Sequence, residues 1–126
     1  MPSHYWAKDA APFKEALPLT LQPNEFTKTY MIVPEDLRGA DLNVTAELRV
    51  DLTGISEQSR PVILFGSANF GVQSSNRPVA DVRRFTCRVP LQAISQGKNR
   101  IMVKAADTGA KLVGVELWIQ RGNETD

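Results

Sequence analysis

The chain is poor in the side chains from which most catalytic and metal sites are built. Its 126 residues contain one cysteine, Cys87, and one histidine, His4. A single cysteine excludes an internal disulfide framework and a cysteine-rich zinc site. A single histidine close to the N-terminus leaves no material for a multi-histidine metal site and argues against a histidine-based catalytic triad.

A large net charge and a long hydrophobic run are also missing. Fifteen Lys and Arg residues stand against 14 Asp and Glu residues, so the net charge of +1 points neither to nucleic acid nor to a membrane surface. No apolar run approaches the roughly 20 residues that span a bilayer, and the first residues lack the apolar core of a signal peptide. We therefore expect no nucleic-acid or membrane partner, and a cytoplasmic protein unless the chain is a domain of a longer secreted one.

Catalytic signatures are absent as well. The sequence contains no G-x-S-x-G, P-loop or H-E-x-x-H motif, and no pair of its acidic residues has a spacing that favours acid–base chemistry. Cys87 alternates with Phe85 and Val89, which is the pattern of a small apolar residue facing a core rather than of a reactive thiol. We therefore expect that the chain is not an enzyme.

The sequence does contain a strong strand pattern. Hydrophobic residues form 42% of the chain and charged residues 23%, which is typical of a globular protein, and the length suits one domain. In residues 42–52 apolar and polar side chains alternate strictly, which indicates a half-buried antiparallel strand. The same alternation, or a short apolar run, marks five further segments: residues 26–33, 62–65, 85–89, 101–105 and 112–120.

These segments are separated by turn residues, and only residues 35–37 and 91–95 favour a single helical turn. The sequence therefore predicts an all-β protein, an antiparallel β-sandwich of jelly-roll type with roughly eight strands. We expect an N-terminal arm laid across the sandwich at residues 1–16, the β-sandwich domain at residues 17–120 and a polar tail at residues 121–126.

Two of the predicted strands carry a more detailed expectation. Residues 62–65 are apolar at every position, as in a central strand. In residues 112–120, strict alternation divides the side chains between two faces. One face would hold Val113, Val115, Leu117 and Ile119, and the other Leu112, Gly114, Glu116 and Trp118.

The order of these pieces resembles a known family. Val89-Pro90, then Gly97-Lys98-Asn99 at a strand start, then Val115-Glu116-Leu117 in the last strand resemble the closing half of galactose-binding-like jelly rolls. That family occurs as carbohydrate-binding modules and as accessory domains of glycoside hydrolases. Upstream, the strand ending at Pro34 and the following Glu35-Asp36-Leu37 look like the family's entry into its long alternating strand. The family's early Trp-Gly and Trp-Tyr signature is missing here.

The resemblance, which spans roughly residues 17–120, implies a non-catalytic carbohydrate-binding or accessory domain of a larger carbohydrate-active protein. It implies a poly- or oligosaccharide partner, a neighbouring catalytic domain and no catalytic cofactor. Many jelly rolls of this type carry a structural calcium ion, for which Asp107 and Glu116 could supply oxygens. The alternative from the residues alone is a structural or protein-interaction sandwich within a multi-chain assembly.

Sugar sites need a flat aromatic face for the pyranose C–H groups and planar polar groups for the hydroxyls. Trp118 and Glu116 alternate away from the apolar face of their strand, as Arg84 and Arg88 do in theirs. We expect these four side chains to form a ligand-binding surface on one sheet. The competing interpretation is that the N-terminal arm covers Trp118, with Trp6 or Phe13 packed against it.

A second candidate site lies in a predicted loop that brings amides, a guanidinium and an aromatic ring together. Its ligand-binding residues would be Asn69, Phe70, Asn76 and Arg77, with Gln73 beside them. The competing interpretation is that the Asn and Ser residues there only form turns.

The charges are unevenly distributed along the chain. Residues 83–106 contain six basic residues and no acidic one, whereas residues 35–57 contain six acidic and two basic residues. The basic segment would suit an anionic polysaccharide, because arginine binds carboxylate or sulfate through two hydrogen bonds. Alternatively, the two segments lie on neighbouring strands and neutralise each other.

Overall fold

The structure is a computed structural model that describes residues 3–6, 19–34, 36–37, 44–75 and 81–121. These residues form nine strands and one 3-10 turn, Leu91–Ala93. The strands are β1 (Ser3–Trp6), β2 (Leu19–Thr20), β3 (Thr27–Val33), β4 (Val44–Thr53), β5 (Val62–Phe65), β6 (Gln73–Ser75), β7 (Val82–Arg88), β8 (Gly97–Lys104) and β9 (Lys111–Arg121). The prediction of an all-β protein is confirmed, and no helix in the described ranges could cross a membrane.

The strands form two antiparallel sheets that face each other. Sheet A has the order β1-β9-β4-β7-β6, with the two-residue β2 also paired to β9, and sheet B has the order β3-β8-β5. The pairs β2–β9, β3–β8 and β4–β7 are nested one inside the next along the chain. Consecutive strands from β2 to β5 and from β7 to β9 alternate between the sheets, which is the jelly-roll wrapping that the sequence predicted.

The core lies between the two sheets and is built by the inward residues of every long strand. In β4, four alternate residues are almost completely buried: Ala46, Leu48, Val50 and Leu52. They face Met31 and Val33 of β3 and Ile101 and Val103 of β8, which are fully buried. Removal of this apolar surface from water is the main force that holds the two sheets together.

The prediction that residues 62–65 form a central strand is wrong. β5 pairs with β8 and forms an edge of sheet B. Ile63 and Phe65 point into the core, whereas Val62 and Leu64 are half-buried on the other face. An apolar run shows that neither face of a strand is strongly polar, but it does not encode how many neighbouring strands will pair with it.

The strict alternation predicted for residues 112–120 is wrong at its start. Asp51 lies opposite Gly114 and Leu52 lies opposite Leu112, so Val113 is the extra residue of a β-bulge. The bulge turns Leu112 into the core, where it is fully buried, and leaves Val113 half-buried. From Val115 onward the predicted faces are correct, because the pairing with β4 is then regular.

The turn that enters β8 has the structural role that Gly-x-Asn suggests. Gly97 has a φ of 99°, which favours glycine, and Asn99 is buried. The Asn99 Oδ1 atom accepts a hydrogen bond from the Ser95 amide at 2.8 Å, and Nδ2 donates to the Ser95 and Gly97 carbonyls at 2.8 and 3.1 Å. Asn99 therefore closes the turn and is not available to a ligand.

Within the N-terminal segment, residues 3–6 form a strand of sheet A instead of crossing the sandwich. β1 pairs with β9 along four residues, which places it at an edge of the sheet. Residues 7–16 of the predicted arm, and residues 122–126 of the predicted tail, lie outside the described residues. Asp36 and Leu37 are not helical, whereas the predicted turn near residue 91 is confirmed as Leu91–Ala93.

Gly54 is a position at which the fold requires glycine, and its replacement tests the close approach of two turns. Gly54 has a φ of 73°, and a β-carbon there would lie 2.7 Å from the Gly109 carbonyl oxygen. We expect Gly54→Ala to lower the free energy of unfolding by about 3 kcal/mol or more, since backbone strain adds to a backbone clash. The matched control is Gly66→Ala, with a φ of 67° and open space, which should cost about 1 kcal/mol. Equal losses in urea unfolding would contradict the clash.

Candidate functional site

The four sheet residues predicted to bind a ligand do point to the same side of the protein. Arg84 and Arg88 lie on β7, Glu116 and Trp118 lie on β9, and both strands belong to sheet A. They alternate with the buried residues of their strands, so they share the face that we call the outer face of sheet A.

β4 separates the two pairs, and this is what the sequence reasoning missed. Glu47 lies opposite Arg88 on one side and opposite Trp118 on the other, and Arg49 lies opposite Glu116. The acidic and basic residues of β4 therefore occupy the middle of the face. The alternation of these residues with a buried apolar row indicates that they point outward. The sequence pattern does not indicate that β4 lies between β7 and β9.

Trp118 is half-buried in contacts with two charged side chains. The guanidinium carbon of Arg49 lies 4.4 Å from the centre of the indole ring. The indole Nε1 donates a hydrogen bond to Glu116 Oε2 at 2.9 Å, and Arg49 Nε donates to Glu47 Oε1 at 2.7 Å. One face of the ring is thus occupied by Arg49, and its N–H group is already used.

The N-terminal strand lies beside Trp118 and does not cross over it. His4 of β1 is opposite Trp118 of β9 in the pairing register, and Trp6 is opposite Glu116. Phe13, the other residue predicted to cover Trp118, lies outside the described residues. The backbone of β1 therefore borders the outer face of sheet A along the strand that carries Trp118.

Arg84 forms a two-pronged ion pair with Asp51 on the neighbouring strand. Its Nε and Nη2 atoms donate hydrogen bonds to the two Asp51 carboxylate oxygens at 2.8 and 3.0 Å. Hydrogen bonding of the guanidinium to the Asp51 carboxylate raises the pKa of Arg84. A β-carbon on Gly114 would lie 3.3 Å from Asp51 Oδ2, so glycine leaves room for this carboxylate. Arg84 is consequently committed within the protein.

Arg88 differs from its neighbours on the outer face of sheet A. Its side chain is exposed and forms no hydrogen bond or ion pair with any residue in the described ranges. Arg49 and Arg84 are both held by carboxylates of the same sheet. Among the described arginines of this face, Arg88 is therefore the one without a carboxylate partner.

The basic segment 83–106 does not form one surface. Arg84 and Arg88 lie on sheet A, whereas Lys98, Arg100 and Lys104 lie on β8 of sheet B. The pairing of Arg84 with Asp51 confirms, for this pair, the alternative that the basic and acidic segments neutralise each other across neighbouring strands.

A cleft of about 380 Å³ joins the two predicted sites. It forms because β6 is only three residues long, so its pairing with β7 begins at Gln73 and Thr86 and leaves the end of β7 uncovered. The lining residues come from β4, β7, the first residue of β6 and the loop before it: Glu47, Phe70, Gly71, Val72, Gln73, Thr86, Cys87 and Arg88. Arg88 of the first predicted site and Phe70 of the second thus border the same space.

The structure describes two of the four predicted loop residues, Asn69 and Phe70. Asn69 Oδ1 accepts a hydrogen bond from the Gly71 amide at 2.9 Å, which supports the turn-forming interpretation of that side chain. Phe70 is half-buried and packs against the core. Asn76 and Arg77 lie outside the described residues.

The two acidic residues considered for calcium occupy different places. Asp107 lies in the β8–β9 loop and accepts hydrogen bonds from the Ser56 amide at 3.0 Å and the Ser59 hydroxyl at 2.5 Å, which lower its pKa. Glu116 lies on the outer face of sheet A. In the part of the chain that the structure describes, no three His, Cys, Asp or Glu side chains form a group that could hold a metal ion.

Comparison with known proteins identifies the fold but not a family. No protein-family model matches the sequence, and no curated protein matches it. Among solved structures, the wild-type glycoside hydrolase family 86 protein BuGH86, in complex with neoagarooctaose, aligns over 94% of this chain and 18% of its own, with a TM-score of 0.69 at 16% identity. The β-porphyranase BpGH86A of the same family, from the human gut bacterium Bacteroides plebeius, aligns over 98% of this chain and 21% of its own, with a TM-score of 0.67 at 12% identity.

The chain therefore spans about a fifth of each of these larger proteins. At these identities the likeness shows a shared β-sandwich fold. The β-sandwich prediction is confirmed, while the more specific galactose-binding-like family remains a prediction.

Cys87 provides a test of whether the cleft contains a nucleophile. The residue is buried, and burial raises the pKa of its thiol to about 11. Since the thiolate is the reactive form, only about one thiol in a thousand is ionised at pH 8. We expect labelling by a thiol-reactive disulfide at pH 8 to be at least about 100-fold slower in the native protein than in guanidinium. Rapid native labelling that exceeds the unfolding rate would contradict this assignment.

The Arg84–Asp51 pair provides a second test, by a double-mutant cycle. The side chains are only 23% and 14% exposed and form two hydrogen bonds. We expect a coupling free energy of about 1–2 kcal/mol from urea unfolding of Arg84→Ala, Asp51→Ala and the double variant. The exposed Arg88→Ala combined with Asp51→Ala is the control and should show a coupling near zero. A coupling near zero for Arg84 as well would mean that this guanidinium is free for a ligand.

Proposed function

We propose that this chain is a non-catalytic accessory domain of a larger carbohydrate-active protein, and that it binds glycan at the cleft beside Arg88. The observation that carries the proposal is the convergence of an exposed, uncommitted guanidinium, an aromatic ring and polar side chains in one space of about 380 Å³. The volume of the cleft lies in the range of small-ligand sites, and its lining surface is mostly polar, which suits the hydroxyl groups of a sugar.

Four of the lining side chains suit parts of a sugar ring. Phe70 offers an apolar surface for pyranose C–H groups, because its ring lines the cleft while it packs on the core. Arg88 donates two parallel hydrogen bonds to adjacent hydroxyls or to a carboxylate. The exposed Gln73 amide both donates and accepts. The carboxylate of Glu47 accepts hydrogen bonds beside its contact with Arg49.

The remaining predicted sheet residues extend this site across sheet A. Trp118 lies two strands from Arg88, about 10 Å at the usual strand spacing, with Glu47 between them. An oligosaccharide bound in the cleft reaches Glu116 and Trp118 only by crossing β4. Trp118 then lies at the far end of the bound oligosaccharide, and Arg84 serves to hold Asp51 instead of contacting sugar.

The fold comparisons support the accessory role without assigning a ligand. The similar structures belong to glycoside hydrolase family 86, one of them bound to neoagarooctaose, and this chain corresponds to about a fifth of each. A domain of that share beside a catalytic part is the arrangement that the sequence resemblance implies. A protein-interaction role is the second candidate, favoured by the exposed Phe26 and Ile32 on the opposite sheet.

Glycan binding is tested by titrating neoagarooctaose and, separately, an oligogalacturonate that carries carboxylates. We expect Arg88→Ala and Phe70→Ala each to weaken binding about tenfold or more, since a stacked ring or a two-pronged hydrogen bond is worth roughly 1–2 kcal/mol. Binding is measured by calorimetry, with thermal unfolding of each variant in parallel because Phe70 also packs on the core.

The matched control is Lys111→Ala, an exposed cation at the far end of β9, which should leave affinity unchanged. Trp118→Ala tests whether the site extends across sheet A. A loss of affinity for longer oligosaccharides, with unchanged affinity for shorter ones, supports the extension. Absence of binding to both sugars by the wild-type protein, or full affinity of a folded Arg88→Ala variant, would overturn the cleft as the site.

A further inference from the structure

The second sheet presents a face of a different character, which we call the outer face of sheet B. Its side chains are either cationic or apolar, and they alternate with the buried residues of β3, β5 and β8: Lys28, Tyr30, Ile32, Val62, Leu64, Lys98, Arg100, Met102 and Lys104. None of these three strands contains an aspartate or a glutamate. The face therefore has four positive charges and no negative charge within its own strands.

Apolar exposure is concentrated on the same side. Among the described residues, the large hydrophobic side chains that are exposed are Phe26, at 41%, and Ile32, at 37%. Ile32 belongs to β3, and Phe26 immediately precedes that strand on the same alternation. Exposed large apolar side chains that cluster on one face mark an interaction surface more often than scattered ones do.

Two of the cations are already held in place on aromatic rings. Lys98 Nζ lies 4.1 Å from the Tyr30 ring centre, and Lys104 Nζ lies 4.8 Å from the Phe26 ring centre. Arg100 lies between them on β8. Its Nη2 atom donates a hydrogen bond to the Gly66 carbonyl at 3.3 Å, whereas its buried Nε atom has no partner among the described residues. The three cationic side chains of β8 are thus positioned by contacts within the chain itself.

The contrast with sheet A shows what is missing on sheet B. On the outer face of sheet A, Arg49 and Arg84 are neutralised by carboxylates of β4. The three strands of sheet B have no acidic residue, so they supply no counter-charge of their own. A partner with an apolar centre and acidic groups around it would match the face in both respects.

We propose that the outer face of sheet B docks against an acidic-rimmed, apolar surface of a second folded domain of the same polypeptide. This inference rests on the part of the proposed function that makes the chain a domain of a larger protein, and it is independent of glycan binding. A glycan is disfavoured because Ile32, Leu64 and Met102 offer nothing to hydroxyl groups. A second copy is disfavoured because two such faces repel, and Glu47 and Asp51 of sheet A are paired with Arg49 and Arg84 of the same chain.

The size of the face favours a partner in the same polypeptide. β3, β5 and β8 have seven, four and eight residues, so at about 3.3 Å per residue and about 4.8 Å between strands they cover roughly 300 Å², or about 600 Å² from both sides. Interfaces between domains of one chain bury roughly 600–1,500 Å². Stable complexes of separate chains bury about 1,200–2,000 Å², so the face is small for a partner that is not tethered.

Lysine acetylation of the native protein tests the proposal. The 126-residue chain and the protein encoded by its complete natural reading frame are treated with an acetylating reagent, and the rate at each lysine is measured by mass spectrometry. In the complete protein we expect Lys28 and Lys98 to react about tenfold more slowly. A short linker gives an effective concentration in the millimolar range, which is about ten times the dissociation constant of a weak interface. Lys111 on sheet A is the control and should react equally in both.

The variant Lys28→Glu/Lys98→Glu should restore the rate at Lys104 in the complete protein to its value in the isolated chain. Equal rates at Lys28 and Lys98 in the two proteins, or a reading frame without a second folded domain, would overturn the proposal. Protection in the isolated chain by neoagarooctaose or oligogalacturonate would assign the face to sugar instead, and protection that grows with protein concentration would assign it to a second copy. Loss of glycan binding at the Arg88 cleft leaves these rates unchanged, so the two proposals fail separately.

Discussion

The rest of the structure depends on β4, a ten-residue strand hydrogen-bonded on both sides, to β7 and to β9. Because side chains alternate along a strand, one row of β4 has to be buried and the other has to face outward. The inward row supplies the centre of the core. The outward row places Glu47, Arg49 and Asp51 between the two strands that carry the predicted ligand residues. A shift of one residue in the pairing of β4 would bury these charges, so core packing and surface chemistry fix the same register.

This arrangement explains why the charged residues of sheet A differ in what they can do. Arg84 and Arg49 lie within reach of carboxylates on β4 and are consumed by them. Arg88 lies at the end of β7, beside a three-residue β6 that leaves the strand uncovered, and it stays free among the described residues. The cleft is thus a consequence of sheet geometry: a short edge strand exposes the last residues of its neighbour. Because β6 is so short, the loop that precedes it and carries Phe70 lies next to the end of β7.

The two outer faces divide the surface of the protein into regions of different chemistry. Sheet A is polar, with positive and negative groups interlocked around Trp118, and only its edge opens into a cleft. Sheet B is smaller, cationic and partly apolar, with lysines lying over Tyr30 and Phe26. Internal neutralisation suits a surface that meets water and small polar ligands. An excess of one charge around exposed apolar groups suits a surface that is covered by another protein.

The sequence by itself determined six of the nine strands and the jelly-roll class, because alternation with period two is a local property that neighbouring residues share. The short strands β1, β2 and β6 carry too few residues for such a pattern. It also determined the burial of Cys87. Only the tertiary structure decided which strands are neighbours, since pairing joins residues far apart in the chain. That is why the edge position of β5 and the insertion of β4 between Arg88 and Trp118 could not be read from the pattern. The bulge at Val113 was hidden for the same reason, because an extra residue becomes visible only against the partner strand. The candidate site shows the same division. The directions of Arg84, Arg88, Glu116 and Trp118 follow from local alternation and could be predicted. That Arg88, unlike Arg49 and Arg84, has no carboxylate partner depends on which strands the fold places side by side.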